Sequence, residues 1–338
     1  MLAKLCDPKI PHLPEALNCN IAQLKLSEAL AQPVQVSSAQ LLRHKEGRRA
    51  LIAYQVSIKT QEISILGKIR AKGLDQYSYQ LQQTLWESGF SAINLEGLAV
   101  PEPLGLIPSW EMWLQRQVPG ISLTRLLGTS VGLRIMPQVA QLAFKLHQSG
   151  IPTRKTHSID NELSILRHRL DQLSQACPQW TKRLENLLCV CERLGQRISD
   201  LALPETLIHR DFYPDQILVE GDRLWLVDLD LCCQSHAAID LGNFMAHIRE
   251  HSLRYYASLD QLEPWIDAFL KPYLDSYQIH TCAMQPHAVG ELQRLRTAIK
   301  IYTWLTLVRH ISISWQISDR RGWTEHLLGY CEWSALAL

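Results

Sequence analysis

No stretch of this 338-residue chain stays apolar long enough to span a bilayer. The N-terminal MLAKLCDPKIPHLP breaks its apolar residues with charges and prolines, which is not the pattern of a signal peptide. Strong charge of one sign is missing as well. With 34 Lys and Arg against 33 Asp and Glu, net charge is +1, and no electrostatic footprint for nucleic acid is expected. The nine cysteines form no CxxC pair and no spaced framework, and the near neighbours Cys189/Cys191 and Cys232/Cys233 are not expected to bridge. Reduced thiols and a cytoplasmic setting are the expectation. Internal repeats and low-complexity tracts are also absent. What is present is ordinary globular composition, 46% apolar and 20% charged, which argues against disorder. The length suggests about two domains.

Periodicity divides the chain into a sheet-bearing part and a helical part. Residues 1–40 read as a helical leader punctuated by Pro11, Pro14 and Pro33. Ile52, Tyr54, Val56 and Ile58, then Ile63, Ile65, Gly67 and Ile69, alternate with their neighbours across a polar turn, which predicts a hairpin. A helix is expected over Tyr77–Ser88, ended by Gly89, and a strand over Trp110–Gln115. Val118-Pro119-Gly120 has boundary chemistry, giving a first domain of residues 1–117 and a second of 118–338. Beyond it, Val139, Leu142, Ala143 and Leu146 fall at helix spacing before Gly150, and Glu162–Gln175 and Lys182–Arg197 also suit helices. Strand-like pieces recur at Leu207, Ile217–Val219 and Leu224–Val227, and a further helix begins at Leu241.

Chemistry concentrates between those late strands. HRDFYPDQIL at His209–Leu218 places Asp211 in a loop and the amide of Gln216 five residues on, and LWLVDLDL at Leu224–Leu231 adds Asp228. Phosphoryl transfer from a nucleotide needs such parts: a carboxylate to orient the attacking hydroxyl, and an amide and a carboxylate to hold magnesium on the phosphates. Asp230 would point to the same side as Asp228 if the strand continued, making it a second candidate ligand. His147, His247 and His310 have no companion at metal spacing and read as core or surface residues.

With these motifs in order after RHKEGRRALIAYQV, ISILGKIRA, EMWLQRQVPG and LAFKLHQSG, and before AIDLGNF, the chain resembles the aminoglycoside phosphotransferase/choline kinase-like family over roughly residues 40–330. The resemblance implies an α+β, bilobal protein kinase-like fold, with a small antiparallel-sheet lobe before a larger helical one. It implies transfer of the γ-phosphate of ATP, with Mg²⁺, to a hydroxyl of a small molecule. Asp211 matches the catalytic aspartate, and Gln216 and Asp228 match the metal positions, with Asp230 the candidate second ligand. Lys68 in LGKIRA matches the strand lysine on the phosphates; Arg48, with Arg49 beside it, and Gln115 are further nucleotide candidates. His209 and Asp240 match residues that support the catalytic loop.

The pattern is broken in places. Gln216 stands where the family has asparagine, and the helix after Lys68 offers Gln80, with Glu87 late, where a glutamate is usual. The first turn has a single glycine, Gly47, and Ser235-His236-Ala237 replaces a Gly-Asp-Pro. These departures motivate an alternative, a non-catalytic kinase-like protein that binds a nucleotide or a partner. A protein kinase is disfavoured because Asp228 is followed by Leu-Asp and the segment to Ile239 is too short for a peptide-docking loop. Sugar, amino alcohol and aminoglycoside remain open as acceptors. Asp260, Glu263, Asp267 and Asp275, interleaved with Trp265 and Tyr273, could box a cationic amine, though a polar helix face is the plainer reading.

Overall fold

The computed structural model describes residues 7–284 and 290–337. The chain forms two compact units. One runs to Ile121 and takes back Leu218–Asp230; the other comprises Ser122–Ile217 and Leu231 onward. A single cut at 117/118 lies close to the first crossing and does not provide for the returning segment.

The first unit begins with α1 (Leu13–Ala16) and α2 (Cys19–Ala29), followed by β1 (Gln35–Lys45), β2 (Arg49–Ile58) and β3 (Gln61–Arg70). The expected leader is therefore helical only to Ala29, and residues 1–6 lie outside the described residues. β1 was hidden in the sequence because QVSSAQLLRHK is an edge strand, mostly exposed, whose ladder to β2 breaks register at Val36/Ser38 and Leu41/Arg43. Next come α3 (Gln76–Leu85), β4 (Leu98–Ala99), β5 (Pro103–Ile107), β6 (Met112–Arg116) and β7 (Ile121–Ser122), with α3 capped by Asp75. An antiparallel sheet runs β1-β2-β3-β6-β5.

Strand alternation gives this sheet two chemistries. Ala50, Ile52, Tyr54, Ile65, Ile69, Met112 and Leu114 share a buried core with Leu13, Ala22 and Leu26 of the leader helices. The Tyr54 hydroxyl donates to the Ala16 carbonyl at 2.9 Å, fastening that face. Truncating Leu13 or Leu26 to alanine should cost ~2–5 kcal/mol. The other face carries Arg49, Leu51, Leu66, Lys68 and Arg70.

The second unit is mainly helical: α4 (Ser130–His147), α5 (Ile159–Ala176) and α6 (Thr181–Asp200) precede β8 (Glu205–Ile208). The chain then supplies β9 (Ile217–Glu220) and β10 (Arg223–Leu226), where β10 runs parallel to β4. Gly120 belongs to that part of the first unit: its φ is +112°, and a Cβ there would lie 2.7 Å from the Val219 carbonyl oxygen. Afterwards come β11 (Cys233–His236), antiparallel to β8, and α7 (Ala237–Tyr256), α8 (Glu263–Met284), α9 (Glu291–Gln316) and α10 (Thr324–Ser334). α7 packs closely on α9, since a Cβ on Gly242 would sit 2.7 Å from the Thr303 nitrogen. Among the described residues no helix is long and apolar enough to cross a membrane.

Candidate functional site

The expected residues gather in two places, one in each unit. In the first unit, a cavity of about 270 Å³ opens on the polar face of the sheet. Leu51, Leu66, Val118, Leu218 and Val227 give it an apolar wall, and Arg49, Lys68, Arg70, Asp228 and Asp230 give it charge. Register explains the cluster. Arg49 pairs with Arg70 and Leu51 with Lys68 across β2 and β3, so all four side chains share one face.

Lys68 lies 3.5 Å from Asp230 and 4.5 Å from the centre of the Trp113 ring. Arg70 holds the same carboxylate and also Asp75, at 2.8 Å. Burial alone would raise the Asp230 pKa, but Lys68 and Arg70 outweigh it and keep the carboxyl below the usual range. Lys68 thus has a carboxylate partner from the loop after β10. The glutamine read as its helical partner, Gln80, is exposed, as is Glu87, which accepts from Gln83. Gln82 is the buried one: its amide donates to the Pro101 carbonyl at 2.7 Å and to Gln115 Oε1 at 3.3 Å. Gln115 lines the cavity with its oxygen already engaged.

Two sequence expectations change here. Arg48 is exposed in the β1–β2 turn and does not line the cavity, whereas Arg49, one residue on, does. The turn is anchored from the leader, where Asp7 accepts from Gly47 N–H at 2.8 Å. The strand also does not continue through the aspartates. β10 ends at Leu226, Asp228 adopts a left-handed φ of +59°, and Leu229–Leu231 form a 3₁₀ turn. Asp228 and Asp230 both reach the cavity through this kink rather than through strand alternation. Aspartate tolerates the left-handed region better than most residues, so the sequence suits the bend.

In the second unit, the loop after β8 is pinned from α7. Asp240 is fully buried; Oδ2 accepts from His209 N–H at 2.6 Å and Oδ1 from Arg210 N–H at 2.7 Å. His147 of α4 lies 3.1 Å from the same carboxylate and 2.8 Å from the Tyr273 hydroxyl. Three residues beyond Asp240, Asn243 donates to the Phe212 carbonyl at 3.0 Å. His209 is buried completely, and Arg210 takes a φ of +68°. Backbone on both sides of Asp211 is therefore fixed, and Asp211 itself lines a cavity of about 370 Å³. Gln216 is buried at the end of a 3₁₀ turn, its N–H on the Tyr213 carbonyl, and does not line that cavity.

Several participants were not singled out in the sequence. Arg70 follows Lys68 by two residues on a strand, a signal that period-two alternation carries. Asn243 gave none, and His147 read only as a core or surface residue, because their roles depend on α4 and α7 meeting the loop. No group of three or more His, Cys, Asp or Glu suited to a metal occurs among the described residues. Hard oxygens are nonetheless available. Asp228 sits on the cationic cavity, which suits a magnesium ion shared with phosphate oxygens rather than an all-protein cage.

The model described as phosphotransferase enzyme family matches residues 83–286, beginning after β3 and therefore after Lys68. Among curated proteins no match was found. Solved structures with a similar fold include a choline kinase from Streptococcus pneumoniae, at 14% identity and TM-score 0.57 over 94% of this chain and 99% of that one. A choline kinase from Cryptosporidium parvum matches at 14% identity and TM-score 0.60, over 99% and 94%. A spectinomycin phosphotransferase, solved with ADP and spectinomycin, matches at 11% identity and TM-score 0.53, over 93% and 94%. The protein kinase-like fold is thereby shared over nearly the whole chain, and with the family match covering more than half of it, the protein belongs to the phosphotransferase enzyme family.

Proposed function

We propose that the protein is a small-molecule kinase that moves the γ-phosphate of ATP to an acceptor hydroxyl. The observation that carries this reading is the double grip of Asp240 on the His209 and Arg210 N–H groups, which presents Asp211 to a ligand-sized cavity. In the reaction, the hydroxyl oxygen bonds to the γ-phosphorus while the bond from that phosphorus to the β–γ bridging oxygen breaks. ADP leaves with the electron pair, and Asp211 accepts the hydroxyl proton. Lys68, Arg49 and Arg70 supply positive charge for phosphate oxygens, and the apolar wall of their cavity suits a base. Asp228, with Asp230 as a further oxygen donor in the same cavity, would hold magnesium; a metal role for Gln216, which lines neither cavity, rests on its position in the HRDFYPDQIL segment alone. The ion would neutralise charge developing on the phosphates.

A coupled assay for ADP release across a panel of hydroxyl-bearing metabolites tests the proposal. Asp211→Asn should lower turnover by ~10²–10⁴-fold with nucleotide affinity unchanged. Wild-type turnover in that variant would remove Asp211 from the chemistry. Nucleotide binding without turnover by the wild-type protein, across the whole panel, would favour the non-catalytic alternative.

A further inference from the structure

The cavity that contains Asp211 is walled by arginine. Arg169 from α5, Arg210 from the pinned loop, Arg254 from α7, Arg309 from α9 and Arg320 just beyond it all line the space. The carboxylates nearby are fewer: Asp211, Asp215 and Glu250 line the same space, and Glu162 reaches Arg309. Glu162 takes Arg309 at 2.7 Å, while Glu250 serves both Arg254, at 2.7 Å, and Arg320, at 3.7 Å. Asp215 accepts from the Ser122 hydroxyl at 2.6 Å. Among the described residues, neither Arg169 nor Arg210 has a carboxylate at ion-pair distance from its guanidinium. Burial, and then repulsion from Arg309, push Arg169 below the ordinary arginine range, and the attraction of Glu162 does not offset them.

A second feature of the same wall also lacks a partner. His310 is 1% exposed, and neither of its ring nitrogens has a hydrogen-bond partner, although the residue lines the cavity. Buried polar groups are normally satisfied, and a donor left open on a binding cavity is one a ligand can meet.

The acids that might have boxed a cationic acceptor are elsewhere. Asp260 and Glu263 are both held by Arg249 at 2.7 Å, Asp275 is held by Lys271 at 2.9 Å, and none of them lines this cavity. An ammonium group entering it would face five guanidiniums, three of them paired, against the carboxylates of Asp211, Asp215 and Glu250.

We infer that the acceptor is an anionic hydroxy compound, carrying a carboxylate or phosphate group that Arg169, Arg210 and Arg320 hold while its hydroxyl is presented to Asp211. This rests on the phosphotransferase reading and narrows its substrate class. Guanidinium forks match both carboxylate and phosphate bidentately, so the two anions share one recognition chemistry.

Calorimetry without nucleotide, on the wild type and on Asp211→Asn, can use paired probes: glycerate against glycerol, glucose 6-phosphate against glucose, and choline. At least one anionic member should bind while its neutral partner and choline do not, and Asp211→Asn should keep that binding. Which anionic probe binds separates a carboxylate from a phosphate acceptor. Arg169→Gln should weaken it at least tenfold, and Arg169→Lys, which keeps the charge, should recover part of the loss with an unchanged melting temperature. In turnover, Arg169→Gln should raise KM for the anionic acceptor and leave KM for ATP alone. Preferential binding or phosphorylation of choline or of the neutral probes, no binding of any anionic probe, or a raised KM for ATP in place of the acceptor would each overturn the inference. Arg169-dependent anion binding with no transfer to any acceptor would instead sink the phosphotransferase reading and leave the anion site standing.

Discussion

Asp240→Asn separates positioning from chemistry in the loop that carries Asp211. Both Asp240 oxygens accept backbone N–H groups, at 2.6 and 2.7 Å, in a fully buried setting. Asparagine keeps the shape but replaces one acceptor oxygen with an amide nitrogen, so one backbone N–H faces another donor. Losing a hydrogen bond to a charged group costs ~1.5–3 kcal/mol, and the stranded N–H adds its own penalty, for a total of about 3 kcal/mol. The consequence for turnover is separate. A reacting group displaced by about 1 Å costs on the order of 10²-fold in rate. Urea unfolding, read beside ADP release, distinguishes the two aspartates. Asp240→Asn should lower both stability and turnover, whereas Asp211→Asn should lower turnover alone. An Asp240→Asn protein within about 0.5 kcal/mol of the wild type would refute the view that this carboxylate holds the loop.

Other residues make separable predictions. Asp228→Asn keeps a side chain that tolerates the left-handed backbone and removes the charge, so the magnesium dependence of nucleotide affinity should fall sharply in a titration; unchanged dependence would reassign Asp228 to structure. Gln216→Asn should retain activity or shift its preference between Mg²⁺ and Mn²⁺, while Gln216→Ala should raise the metal concentration for half-maximal rate. If the three proteins gave identical curves with robust turnover, Gln216 would lose its metal role. Glu162 is held at about 2 by Arg309 and His157 against the opposing effect of burial. A depressed carboxyl stabilises fully above its unfolded pKa and loses that contribution as pH falls through the folded value, here about 3 kcal/mol lost from pH 4.5 downward. The stability gap between the wild type and Glu162→Gln should therefore shrink to less than half at pH 3; a constant gap would contradict the pairing.

Local chemistry made much of this protein readable from sequence. The hairpin of β2 and β3 follows from strict alternation, and the HRDFYPDQIL and LVDLDL segments carry their residue types at fixed short spacing. Alternation along β3 puts Lys68 and Arg70 on one face, whereas Arg49 joins them only through the register of β2 on β3. Tertiary structure decided what short spacing cannot encode. β1 exists because β2 pairs with it, since a mostly exposed edge strand has little periodicity of its own. The partner of Lys68 is Asp230, from a loop that meets β3 only after the chain has crossed to the second unit and returned. Above all, the arginine wall draws on α5, α7, α9 and the Asp211 loop, and in each of these segments an arginine taken by itself reads as ordinary surface charge. Net charge near neutrality concealed them, because charge sums over the chain while a cavity concentrates the few residues that packing turns inward.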